Sequence, residues 1–145
     1  MHRLIYTSTA RFGGPQDGDG DLRELALKSA RSNEQLGLTG MLTFVEGKFI
    51  QVLEGKLEQL EDVFERICCD FRHWDLHLID LAPASDRQFK DWGMACMVGD
   101  DLADKELVAD LQGINFLIGV NAAEAVREMR SLLQRHAPRS AAMAA

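Results

Sequence analysis

A hairpin signal limits the fold more than any other feature of the chain. Residues 38–45 and 48–54 are two runs of strand-forming residues with only Glu46-Gly47 between them. So short a connection, ending in glycine, forces the two runs to pair antiparallel. Successive side chains on a strand point to opposite faces, so Phe49, Gln51 and Leu53 share one face of the second run and Ile50 and Val52 share the other. Both faces are too apolar to face water, and each needs a covering layer.

The flanking segments supply those layers. Residues 3–9 read as a strand in which Leu4, Tyr6 and Ser8 point one way and Arg3, Ile5 and Thr7 the other. The glycine- and aspartate-rich stretch from Arg11 to Gly20 is a loop. Asp21 then offers an N-cap for a helix to Leu36, with Leu22, Leu25, Ala26, Ser29, Asn33 and Leu36 as its inner stripe and Gly37 as its stop. A second helix is predicted over residues 57–69, on the spacing of Leu60, Val63, Phe64 and Ile67. Strands follow at residues 76–82 and around Met94 to Val98.

The order is strand, helix, strand, strand, helix, strand, which predicts an α+β, ferredoxin-like βαββαβ sheet of five strands with two helices on one face. Two C-terminal helices, over about 102–112 and 122–136, are available for the other face, on this sheet or on a partner's. The expected organisation is a core over residues 1–98, a helical extension over 99–137 and a disordered tail over 138–145.

Composition narrows the function classes. The formal net charge of -7 argues against nucleic acid as a partner, because binding phosphate backbones needs a basic face. The three cysteines, Cys68, Cys69 and Cys96, have no metal-type spacing and read as reduced thiols. No apolar run has the length of a signal peptide core or a membrane span, so the expectation is a cytoplasmic protein with no membrane association.

The informative feature is a set of polar residues on faces where burial is expected. Tyr6, the only tyrosine, shares its face with Leu4; Gln51 lies between Phe49 and Leu53; Ser29 and Asn33 lie one helical turn apart on an apolar stripe. Buried without partners, such groups cost about 1–3 kcal/mol each, so they must satisfy one another, a water or a ligand. Amides offer donors and an acceptor together, which suits a heterocycle edge with alternating carbonyl and imide groups. A purely structural polar network fits the same pattern. Arg66, Asp70, Arg72 and His73 form a second group, able to hold a phosphate if the second helix continues that far, or else a solvated cluster at its C-terminus.

Five segments in order carry a resemblance: Leu4-Ile5-Tyr6-Thr7-Ser8, Asn33 through Leu42, Gly47-Lys48-Phe49-Ile50-Gln51-Val52-Leu53-Glu54-Gly55, Asp70-Phe71-Arg72-His73, and Arg87 through Met94. Over about residues 3–98 the chain resembles the BLUF family, blue-light sensors using flavin. The resemblance implies an FAD or FMN cofactor between the two sheet-covering helices. Asn33, with Ser29 and Ser32, would lie at the flavin ring, Gln51 between Tyr6 and the flavin, and Arg66, Asp70, Arg72 and His73 toward its phosphate end. It further implies that Tyr6 gives an electron and a proton to the excited flavin, and that Gln51 relays the proton and rearranges. The result would be a new hydrogen bond at the flavin C4 carbonyl and a red-shifted signalling state. Met94 and Trp92 match the pair of the fifth strand, one of which lies near Gln51.

The chain departs from many members in carrying Ser32 before Asn33, where they have a second Asn, and in its long Phe12–Gly20 loop. The expected protein is not an enzyme. It would sense light and pass the signal through its C-terminal helices to an unidentified downstream protein or through a homo-oligomer. The alternatives are a flavin-dependent or acylphosphatase-like enzyme, in which Arg31 with Asn33 would imitate an anion site although no nucleophile–base pair is evident beyond Cys69 lying near His73 in sequence, and a flavin-free interaction module.

Overall fold

The computed structural model describes residues 1–11, 27–70, 73–101 and 103–138, and the backbone of 140–143. Strand β1 (His2–Ala10) is followed by helix α1, described over 27–36, then by β2 (Thr39–Val45), β3 (Lys48–Gly55) and helix α2 (Leu57–Cys68). Strands β4 (His73–Pro83) and β5 (Trp92–Gly99), helices α3 (Lys105–Ile118) and α4 (Ala122–Arg135), and strand β6 (Ser140–Met143) complete the chain. The residues proposed to begin the first helix, Asp21, Leu22, Leu25 and Ala26, lie outside the described residues, as does the Phe12–Gly20 loop.

The hairpin forms as its sequence requires. Glu46 and Gly47 both have positive φ, 54° and 79°, which matches the right-handed twist of the strands they join. Pairing runs from Val45↔Lys48 to Thr39↔Glu54. The sheet order is β4-β1-β3-β2-β5-β6, with β2 and β5 parallel, so the hairpin occupies the centre and needs cover on both faces.

Two cores result. Beneath α1 and α2 lie Leu4, Tyr6, Leu42, Leu53 and Met94, packed with Leu60 of α2. On the opposite face Ile5, Ile50, Val52, Ala95 and Met97 meet Leu111, Ile114, Val126, Met129 and Leu132 of α3 and α4. The C-terminal helices therefore cover their own sheet.

One expected boundary is corrected. Helix α3 does not stop before Gly113 but runs to Ile118. A helical glycine costs about 1 kcal/mol, while burying Ile114 and Ile118 returns about 1.5–3 kcal/mol each, so packing overrides the local penalty. In the tail, Ser140–Met143 pairs antiparallel with β5, from Cys96↔Ser140 to Trp92↔Met143. An open β5 edge would leave backbone donors and acceptors unpaired, and any proline-free segment within reach can satisfy them. The five expected strands all form, and among the described residues β6 adds a further strand at the β5 edge. At the α3–α4 junction Asp110 accepts from His136 Nε2 at 3.2 Å and faces Arg135 Nη2 at 3.6 Å, which fastens the end of α4 to α3.

Candidate functional site

Strands β1 and β3 pair with Tyr6 directly opposite Gln51. Both side chains point to the α1/α2 side, and both are buried. The Tyr6 hydroxyl donates to Gln51 Oε1. Gln51 Nε2 donates in turn to Met94 Sδ at 3.5 Å. A buried chain of three polar or polarisable groups therefore crosses β1, β3 and β5.

Helix α1 supplies the opposing wall. Asn33 is buried, and its Nδ2 donates to the Gly93 carbonyl at 2.9 Å. Residue 93 must be glycine, because a Cβ there would sit 2.6 Å from the Ala30 carbonyl oxygen. The close approach coincides with an irregularity in pairing between Trp92 and Met94. From Met94 onward side chains alternate strictly: Met94, Cys96 and Val98 face α1 and α2, and Ala95 and Met97 face α3 and α4. Trp92 is two residues from Met94 and would share its face on a regular strand, yet it packs against the α3/α4 core.

These elements enclose a cleft of about 360 Å3 between α1 and α2. Leu42, Phe49, Val63, Ile67 and Met94 form apolar walls. Tyr6, Ser29, Ser32, Asn33, Gln51, Arg66, Asp70 and His73, all singled out from the sequence, line it as well. Arg72 lies outside the described residues. Trp92, grouped at first with the photoactive residues, is not in the cleft, because the irregularity at Gly93 reverses its face. Sequence reasoning missed Lys28, an exposed cation at the cleft. Its place beside Ser29 and one turn before Ser32 was the available signal.

The second group is assembled differently from expectation. Helix α2 ends at Cys68, so Asp70 and His73 do not continue its flank; His73 opens β4. The strand brings it back beside β1, where Nδ1 accepts from Ser8 Oγ at 2.7 Å and Nε2 donates to the Ile67 carbonyl at 2.9 Å. Both ring nitrogens are taken, so His73 is not free to donate to a phosphate. Its ring instead stands edge-on to Tyr6, with centroids 6.2 Å apart. Burial pushes the Tyr6 phenol far above its ordinary range, and Asp70, together with Cys68 where its thiol ionises, adds to the effect. Tyr6 is therefore a neutral donor at any physiological pH.

The enzyme readings find no support in this geometry. With its ring nitrogens occupied, His73 cannot activate exposed Cys69, and Arg31 and Asn33 stand on a helix rather than in an anion loop.

A family model described as BLUF, sensors of blue-light using FAD, matches residues 1–95. The chain belongs to the BLUF family. The blue light- and temperature-regulated antirepressor BluF of Escherichia coli (strain K12) is 38% identical over 93 residues, covering 63% of this chain and 22% of that protein. The photoactivated adenylate cyclase subunit beta of Euglena longa is 32% identical over 84 residues, covering 57% of this chain and 10% of that protein. The chain thus spans only a small part of the curated relatives it matches. Among solved structures, the dark state of the BLUF protein BlrB superimposes with a TM-score of 0.76 at 28% identity, covering 90% of this chain and 96% of that one. No described helix is long and apolar enough to cross a membrane.

The family's cofactor is a flavin, and the cleft fits one. Its volume lies in the range of small-molecule sites. Apolar walls suit a planar aromatic ring system, buried Asn33 and Gln51 suit a heterocycle edge, and exposed Lys28 and Arg66 suit a phosphate.

Proposed function

We propose that the chain is a blue-light photoreceptor whose photoactive unit is Tyr6, Gln51 and Met94, with Asn33, Ser29 and Ser32 holding the flavin ring and Arg66, Lys28 and Asp70 placed toward its phosphate end. The observation that carries this reading is the buried Tyr6–Gln51–Met94 chain along the cleft. A bound flavin would supply absorption of blue light and a strongly oxidising excited state. The protein supplies the rest. Tyr6, kept neutral by burial, holds a proton that its hydrogen bond directs onto the Gln51 amide oxygen. Loss and return of that proton frees the Gln51 amide to turn, exchanging which end faces Tyr6 and which faces Met94. Because Gln51 has few alternative partners in a buried site, each orientation is a defined state, as a switch requires.

The sensor unit is proposed to occupy residues 1–98, with 99–137 as transmitter. The site accommodates FMN or FAD, since its cations address a phosphate shared by both. The proposed setting is the cytoplasm, with the signal passed to another protein or through a homo-oligomer. The test is a visible spectrum of purified protein before and after blue light. A reversible red shift with dark recovery is expected. A colourless protein, or a yellow one that only bleaches with reductant, would refute the reading.

A further inference from the structure

Glu54 lies three residues beyond Gln51 on β3, and its side chain is fully buried. Its Oε2 accepts from Arg3 Nε at 3.0 Å, Arg3 Nη2 at 2.9 Å and the Gln88 backbone N–H at 2.7 Å. Its Oε1 accepts from the Phe89 backbone N–H at 2.9 Å and from Thr39 Oγ1 at 3.3 Å. Arg87 reinforces the same point, donating to Thr39 Oγ1 at 2.8 Å and to the carbonyls of Glu54 at 3.1 Å and Gly37 at 2.8 Å. Burying a carboxylate is costly unless it is paired and hydrogen-bonded throughout, and this one is.

What the carboxylate holds is the chain entering β5. Gln88 and Phe89 lie in the turn that leads into β5, in which the Trp92 N–H donates to the Phe89 carbonyl at 3.0 Å. Phe89 is buried in the α3/α4 core. Four residues after Phe89, the Gly93 carbonyl is held by Asn33. At the second anchor lies the irregularity, between Trp92 and Met94, that turns Trp92 toward α3 and α4 and Met94 toward Gln51.

We infer that Glu54 is a positioning residue of the photoswitch: by fixing the backbone of Gln88 and Phe89 it sets the phase of β5, and so selects Met94 rather than Trp92 as the neighbour of Gln51. This rests on the photoreceptor reading only for its consequence; the phase itself is a property of the protein. On a regular strand Trp92 and Met94, two residues apart, would share a face, so the irregularity between them keeps Trp92 out of the cleft, and the strand's entry point fixes where that irregularity falls.

The test is Glu54→Gln in a Trp74→Phe background, where Trp92 is the only tryptophan. The amide replaces an acceptor oxygen with a donor, so at least one of the Gln88 and Phe89 N–H groups loses its partner. Expected is a shifted Trp92 emission maximum with or without flavin. In the flavin-loaded protein, Trp92 emission is expected to fall, and dark recovery to quicken by roughly tenfold, the effect of losing one charge-assisted hydrogen bond. A folded E54Q protein with unchanged Trp92 emission and recovery would overturn the inference, even if its melting temperature fell. Should E54Q not fold, Thr39→Val removes one bond from Glu54 and one from Arg87; it should move the same readouts in the same direction, and unchanged values would again overturn it. The parent protein separates the two ideas. If it lacks a reversible red shift, the photoreceptor reading fails, while the Trp92 emission maximum still decides the role of Glu54.

Discussion

The two faces of one sheet are built from the same strands and come out differently. Beneath α3 and α4, Leu111, Met129 and Leu132 have no exposed surface, and the face is filled by apolar side chains. Beneath α1 and α2 the packing is interrupted. Val63, Phe64 and Ile67 are only partly buried, and the remaining space is a cleft that borders Tyr6, Asn33 and Gln51. A filled apolar face contributes stability, and an open face with buried amides gives some of it up for a site. The strands contribute Tyr6 and Gln51 to the open face, and the helices widen the difference, since α1 places Ser29, Ser32 and Asn33 where α3 and α4 place leucine, isoleucine and methionine.

The sharpest way to break the contrast is to remove the open face's polar chain. Tyr6→Phe and Gln51→Leu should each keep the flavin and abolish the normal light-induced red shift, read in difference spectra; a full photocycle in either would remove these residues from the mechanism. On the closed face, Leu132→Ala should cost about 2–5 kcal/mol in denaturant unfolding, with little change in the dark spectrum of the remaining folded protein. A cost below about 1 kcal/mol would show that this face is loosely packed. Asn33→Ala joins the two properties. It leaves the buried Gly93 carbonyl without its donor, at about 1–3 kcal/mol, and should weaken flavin binding in titrations of apoprotein.

The smallest effect is at alkaline pH. Tyr6 holds its proton more tightly folded than unfolded, so its contribution to stability is fully present below the ordinary phenol value of 10.0 and declines as pH rises beyond it. The unfolding free energy should fall with pH above that value, less steeply in Tyr6→Phe. Equal slopes in the two proteins would show that Tyr6 does not carry the effect.

Much of the open face was legible because it depends on short-range periodicity. Alternation alone put Tyr6 on the face of Leu4 and Gln51 on the face of Phe49, and helical spacing put Ser29 with Asn33. The misreadings share one cause. The sequence puts Arg66, Asp70 and His73 on one helix flank only if the helix continues, yet the helix ends at Cys68 and it is pairing with β1 that returns His73 to the cleft. Spacing also leaves Trp92 and Met94 equivalent, and only the irregularity at Gly93 separates them. Glu54 reads as an ordinary strand residue until the loop before β5 closes on it.

The sequence by itself determined the element order, the hairpin at the centre of the sheet and the polar residues that would need partners, because each follows from contacts within a few residues. The tertiary structure decided which of those residues meet. It joined Tyr6 to Gln51 and Met94, took both His73 nitrogens out of play, and placed β6 on the β5 edge. Those outcomes depend on strand register and on where strands begin and break, which are set by pairings between distant segments that no local pattern encodes.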